Sequence, residues 1–224
     1  MDDVLKIEAI NKEIISCRAC PRLVSWREQV AKEKRAAFKE EDYWGLPVLG
    51  FGDFSAEILI VGLAPGAHGA NRTGRVFTGD RSGDFLYSAL CRAGFANQPE
   101  SISRNDGMEL TNVYITLPVK CVPPANKPTS QEASSCQHFF ESELRSLTKI
   151  KVVIALGRIG YVSIAKEFKL KPIPKFQHGL EIPIEGNKTI ICSYHVSQQN
   201  TFTGRLTDGM FDTILKRAQS LVGI

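Results

Sequence analysis

The segment GLAPGAHGANRTGRVFTGD, from Gly62 to Asp80, carries five glycines and follows directly on the apolar run EILIV. A backbone this bare lets main-chain groups come close to something planar or anionic. It is not a phosphate-cradling P-loop, because no Lys-Ser/Thr pair follows the glycines, and the dinucleotide fingerprint G-x-G-x-x-G is out of register. A mobile loop is the plainer alternative. Phe77 stands alone among small and polar residues, either as a stacking face for a base or as a plug into the core. Arg72, Arg75, Arg81, Lys120, Lys127 and Arg205 fall in or beside loops, where they could meet phosphates or simply face solvent.

Six cysteines form a second candidate constellation. Cys17 and Cys20 make a C-x-x-C followed by Pro21, Cys121 precedes VPP, and Cys136 follows fifteen residues later. Two cysteines that close, with two more the fold can bring near, suit zinc or an iron–sulfur cluster. Disulfides do not suit an intracellular chain, and a thioredoxin-like motif would follow a strand. Cys91 and Cys192 sit in apolar patterns and read as buried thiols.

These residues need elements to position them. EILIVG (57–62), NVYITLPVKC (112–121), KVVIALG (151–157) and TIICSYH (189–195) read as strands, the second bending at Pro118. Residues 5–40 read as helical with a break at CRACPR, and 82–95, 130–147, 158–168 and the C-terminal DGMFDTILKRAQSLV as helices, the 130–147 helix capped by Ser130. HGLEIPIEG reads as a small hairpin. Strands alternating with helices predict a three-layer αβα single domain over 1–224 with a central, mostly parallel four-stranded sheet. Ligands then gather beyond the strands' carboxyl ends, where Gly62–Asp80, Cys121–Thr129 and His195–Thr207 should converge.

The chain has 224 residues, 43 % hydrophobic and 23 % charged, with net charge +4. These values suit one soluble domain. No apolar run approaches a membrane span, and the acidic, amphipathic N-terminus is not a secretory signal. A cytoplasmic monomer is the default expectation.

Taken together, these segments resemble the uracil-DNA glycosylase superfamily, and within it the iron–sulfur branch called family 5 or type B. Gly62–Asp80 resembles that family's first motif, HVSQQNTFTGRLT from His195 its second, and Cys17, Cys20, Cys121 and Cys136 match its four cluster ligands. The sister type A carries Glu where this chain has Leu63, and an Asn where this chain has Leu117 or Pro118. The resemblance implies a [4Fe-4S] cluster, with zinc as the lesser alternative, in a structural or loop-organising role. It also implies DNA carrying deaminated bases as partner and hydrolysis of a glycosidic bond after base flipping.

On that reading His195 donates a hydrogen bond to the leaving base, and Asp80 orients water or stabilises the sugar cation, its plainer role being to cap the next helix. Gly66 and Ala67 approach the base, Phe77 stacks on it, and His68 touches phosphate or sugar. Asn126 reads the pyrimidine edge, with Asn112 as its rival. Arg72, Arg75, Lys127 and Arg205 meet phosphates. Gln198, Gln199 and Asn200 enter the minor groove or fill the gap left by the flipped base. A loop without a type A Glu predicts activity on hypoxanthine or other deaminated bases as well as uracil. Two rival classes remain: a non-catalytic zinc or iron–sulfur nucleic-acid binder, and an α/β hydrolase, against which stands the lack of G-x-S-x-G.

Overall fold

A computed structural model describes residues 3–224; Met1 and Asp2 lie outside it. Four parallel strands form the centre of the sheet: β2 (Ile58–Val61), β3 (Val113–Thr116), β4 (Val152–Leu156) and β6 (Lys188–Ser193). The sheet has six strands rather than four, because β1 (Phe51–Gly52) and β5 (Glu181–Ile184) add antiparallel edges, in the order β1-β3-β2-β4-β6-β5. β5 is the expected hairpin, folded onto β6 with Ile182 opposite Ile190. β3 stops two residues short of Pro118, which has no N–H for the ladder.

Alternate side chains of the central strands enter opposite layers, as the two-residue period of a strand requires. Ile58, Ile60, Ile115, Ile154 and Ile191 pack on one face, against α4 (Arg81–Arg92) and α8 (Asp208–Val222). Leu59, Val61, Tyr114, Val153 and Ile190 pack on the other, with α1 (Asp3–Ser16), α5 (Ser130–Ser146) and α6 (Gly157–Glu167). Both faces are covered, which is why the strands read as unbroken apolar runs.

The break after α1 is made by Cys17–Cys20, and α2 (Pro21–Glu33) restarts on Pro21, whose missing N–H costs nothing in the first turn. The α5 cap is Thr129 rather than Ser130: Thr129 Oγ1 accepts from Glu132 N while Glu132 Oε2 accepts from Thr129 N. The capping box supplies two bonds where Ser130 alone would have supplied one.

One ion pair runs through the interior. Lys120 Nζ lies 2.6 Å from Glu143 Oε2 and 2.7 Å from Thr116 Oγ1, with both charged side chains almost wholly buried. Lys120 therefore cannot meet phosphate, contrary to its reading as a loop cation. The pair ties the exit of β3 to α5. Lys120→Met strands Glu143 in the core and is expected to cost about 3–5 kcal/mol, whereas Lys120→Met with Glu143→Leu recovers most of that. Urea unfolding of the two variants measures the difference.

Candidate active site

A cavity of about 490 Å³ opens at the carboxyl edge of the sheet. The loop after β2 contributes Leu63, Gly66, Phe77 and Asp80; the loop after β3 contributes Leu117, Asn126 and Lys127; and the segment after β6 contributes His195, Ser197 and Gln199. The three expected segments therefore meet. A fourth joins them: Leu156–Ile159, at the exit of β4, lines the cavity with Arg158 and Ile159. The hint was Gly157, which ends an apolar strand much as Gly62 does and has φ +78°.

Asp80 caps α4. Its Oδ1 accepts from Ser82 N at 3.0 Å and Gly83 N at 3.1 Å. Its Oδ2 turns toward the glycine loop, where a Cβ on Gly66 would come within 2.8 Å and one on Gly69 would overlap it outright. Both glycines are needed to seat a carboxylate. Burial pushes the Asp80 carboxyl above the usual range, against the pull of the Gly83 and Ser82 N–H groups and of Arg72.

His195 stands at the end of β6 with its ring open to the cavity, held from behind by Asn200 Nδ2 donating to its carbonyl at 2.8 Å. Gly157 makes room for it, since a Cβ there would sit 3.1 Å from His195 Cβ. Although the ring keeps some exposure, the protein around it removes most water and pulls the imidazole down to about 4, so it is neutral at ordinary pH. Phe77 lies beside it, ring centroids 6.2 Å apart. Phe77 is not an exposed platform. Only 8 % of it is exposed, it belongs to the core cluster, and it presents one side to the cavity. It is both plug and wall, and Gly62 exists to clear its ring.

A family model described as the Uracil DNA glycosylase superfamily matches residues 49–219. The chain belongs to that superfamily. It is 50 % identical to a type-5 uracil-DNA glycosylase of Thermus thermophilus, over 97 % of this chain and 99 % of that one. It is 47 % identical to a type-5 enzyme of Mycobacterium leprae, covering 97 % and 96 %, and 41 % identical to one of Pyrobaculum aerophilum, covering 94 % and 91 %. Most of the chain, the cavity included, lies within the superfamily match.

In this superfamily member, several cations read as phosphate ligands prove to be structural. Arg72 is 7 % exposed; it pairs with Glu41, donates to the carbonyls of His68 and Gly79, and lies 3.9 Å over the Phe38 ring. Arg75 is 4 % exposed and bonds Asp106 and Ser101 at 2.6 Å each. Neither can reach DNA: both spend their charge closing the glycine loop. Lys127 and Arg205 do stand exposed, the first on this cavity.

Ala67 and His68 do not line the cavity; His68 Nδ1 lies 3.1 Å from Tyr43 Oη on the loop's outer side. Asn126 stands exposed at the cavity mouth, in a left-handed turn with Ala125. Asn112 is committed elsewhere: its Oδ1 accepts from Glu57 N at 2.8 Å, at the sheet's opposite edge.

Gln198, Gln199 and Asn200 open the short helix α7 (Gln198–Phe202), capped by Ser197. Gln198 and Gln199 are exposed, while Asn200 is the residue that anchors His195. The residue missed in this segment is Phe202, 70 % exposed at the end of α7. An aromatic three residues beyond two polar ones, in a five-residue helix with no buried face, was the available signal.

Cys17, Cys20, Cys121 and Cys136 line one small cavity, and no residue of it lines the His195 cavity. Cys136 Sγ accepts from Lys120 N and Cys121 Sγ from Arg27 Nη1, both at 3.3 Å. Arg27 is 1 % exposed and its Nε has no partner. Arg27 Nη2 also lies 4.0 Å from Glu28 Oε1, and four sulfurs gathered beside this buried cation suit an anionic, thiolate-ligated group. Among the described residues, no three His, Cys, Asp or Glu side chains are arranged to grip a single metal ion.

Because the folded protein disfavours ionised Asp80, that residue costs stability as pH rises through its shifted value. Asp80→Asn keeps a cap acceptor without the charge. It is expected to melt at or above the wild-type temperature at pH 7, the advantage shrinking at acid pH where wild-type Asp80 is protonated. Thermal scans at the two pH values check this.

Proposed function

We propose that this chain excises uracil from DNA by extruding the nucleotide into the His195 cavity and hydrolysing its glycosidic bond, leaving an abasic site. The observation that carries the reading is the pairing of a half-buried carboxylate and a neutral imidazole on one cavity at the sheet edge, in a chain of this superfamily. About 490 Å³ is ample for one base.

Breaking the bond leaves positive charge on the sugar and negative charge on the base. His195 is neutral, so it donates one N–H to the base oxygen without carrying a competing positive charge. Asp80 has one oxygen tied to the α4 N-terminus and the other directed at the loop, a fixed carboxylate that orients water or faces the sugar cation. Lys127, Arg158 and Arg205 meet phosphates, Asn126 closes over the base edge, and Phe202 fills the vacated stack. Asp80, whose carboxyl burial raises, and His195, pulled down to about 4, both take up a proton on the acid side, so the pH–rate profile falls there.

Leu63, where type A carries Glu, and Leu117, one of the two positions that match its Asn, both face the cavity and carry no polar group to single out uracil. Hypoxanthine is therefore a second substrate. Base release from single-lesion oligonucleotides, read by alkaline cleavage of abasic sites, tests both points. His195→Ala and Asp80→Asn are each expected to lose about 10²–10⁴-fold. Wild-type rates in both variants would refute the assigned chemistry, and release confined to uracil would refute the wider range.

The four cysteines would hold a [4Fe-4S] cluster through their thiolates, with Arg27 as the buried counter-charge. With a cluster held there, these cysteines would tie the Cys17–Cys20 turn to the loop after β3 and to α5. Protein purified without chelators is expected to be brown, with broad visible absorption and bound iron and sulfide. A colourless protein holding zinc would overturn the assignment.

A further inference from the structure

A second cavity of about 780 Å³ lies against the first, and Gly157, Arg158 and His195 line both. Its walls include Tyr161, Phe176 and Tyr194. These rings are already packed. Tyr194 stacks on His178 with centroids 5.0 Å apart, and Phe176 lies 5.9 Å from Tyr161 and 6.2 Å from Tyr194. Tyr161 Oη donates to the Pro174 carbonyl at 2.9 Å, which fixes the segment carrying Lys175 and Phe176 to α6.

The charge around this cavity has one sign. Arg158, Lys175 and Arg205 line it, all exposed, and no carboxylate does. Elsewhere this chain pairs its arginines readily, as Arg72, Arg75, Arg92 and Arg217 show. The guanidinium of Arg205 instead rests 4.7 Å from the Tyr194 ring, and no carboxylate pairs with these three cations among the described residues. A preformed aromatic wall at Phe176, beside cations that pair with no carboxylate among the described residues, suits a planar group joined to an anion. Three lining residues continuous with the His195 cavity place that group next to whatever the first cavity holds.

We infer that the second cavity binds the nucleotide adjacent to the extruded one on the same strand, its base against Phe176 and its phosphate between Arg158 and Arg205. The inference rests on the glycosylase reading of the first cavity. Seating this neighbour requires it to leave the stack, which is least costly in single-stranded or frayed DNA. The cavity is thus a selector for such strands rather than a second catalytic site.

The test uses single-turnover excision from single-stranded oligonucleotides with one uracil, titrated with full-length protein. The neighbour on the 5′ side, then on the 3′ side, is replaced by an abasic analogue that keeps the phosphate. Losing the base on one side is expected to raise the half-saturating protein concentration about 5- to 150-fold, the size of one stacking interaction, with little change in the saturated rate. Phe176→Ala, and Phe176→Leu, which keeps the apolar packing, are each expected to weaken binding of the normal strand and to lose the discrimination between normal and abasic neighbours. Lys175→Ala should weaken binding and flatten its salt dependence.

Equal affinity with and without the neighbouring base on both sides would overturn the inference, as would wild-type discrimination in both Phe176 variants. Sensitivity to a neutral methylphosphonate linkage without sensitivity to the missing base would also overturn it, leaving an anion site only. A wild-type protein that releases no uracil from any strand would instead sink the reading of the first cavity.

Discussion

The loop between β2 and α4 is shaped around one carboxylate. Asp80 Oδ2 occupies the space that a Cβ on Gly69 would fill and crowds the place of one on Gly66. At the same time Oδ1 is committed to two N–H groups of α4. The glycines, then, are bare first for Asp80 and only second for a ligand. Everything at the site depends on that seat: it sets the direction of the loop, the position of Phe77 behind it, and the depth at which a charged oxygen meets the cavity. Desolvation is the cost, visible in the raised affinity of this carboxyl for its proton. A carboxyl shifted by burial at the wall of a cavity is a candidate for the reacting centre as well as the α4 cap.

The basic residues divide by what lies within reach. Arg72, Arg75 and Lys120 are interior, each with an acidic partner and further oxygen acceptors. They lock the glycine loop and the exit of β3. Lys127, Arg158, Lys175 and Arg205 ring the two adjoining cavities. Composition could not separate these groups, because Arg72 and Arg205 look equally loop-borne in the sequence. The distinction is made by Glu41, 31 residues away, and Asp106, also 31 residues from Arg75. The modest net charge of +4 hides a basic rim built from cations that pair with no carboxylate among the described residues.

The cysteine cavity and the His195 cavity share no lining residue, yet the loop after β3 runs from Cys121 to Lys127 and serves both. Lys120, one residue before Cys121, is clamped to α5, which carries Cys136. Order at the cysteines is thereby passed to the position of Asn126 and Lys127 through a few residues of backbone. Pro123, Pro124 and Pro128 stiffen that stretch.

Periodicity and punctuation in the chain determined the strands, the helices, the parallel sheet and the edge at which loops must gather, because a strand buried on both faces has to be apolar throughout and a turn has to use Gly or Pro. Cys17, Cys20, Cys121 and His195 were legible because their chemistry is rare and they fall at element ends, whereas Cys136, inside α5, was matched as a fourth ligand by the family resemblance. Only the tertiary structure decided that β1 and β5 extend the sheet, that Leu156–Ile159 closes the site, that Phe77 is wall rather than platform, and that Arg72 and Arg75 face inward. Each of those outcomes is settled by a partner distant in sequence, and burial of a charge or a ring is a property of the pair, which no single segment carries.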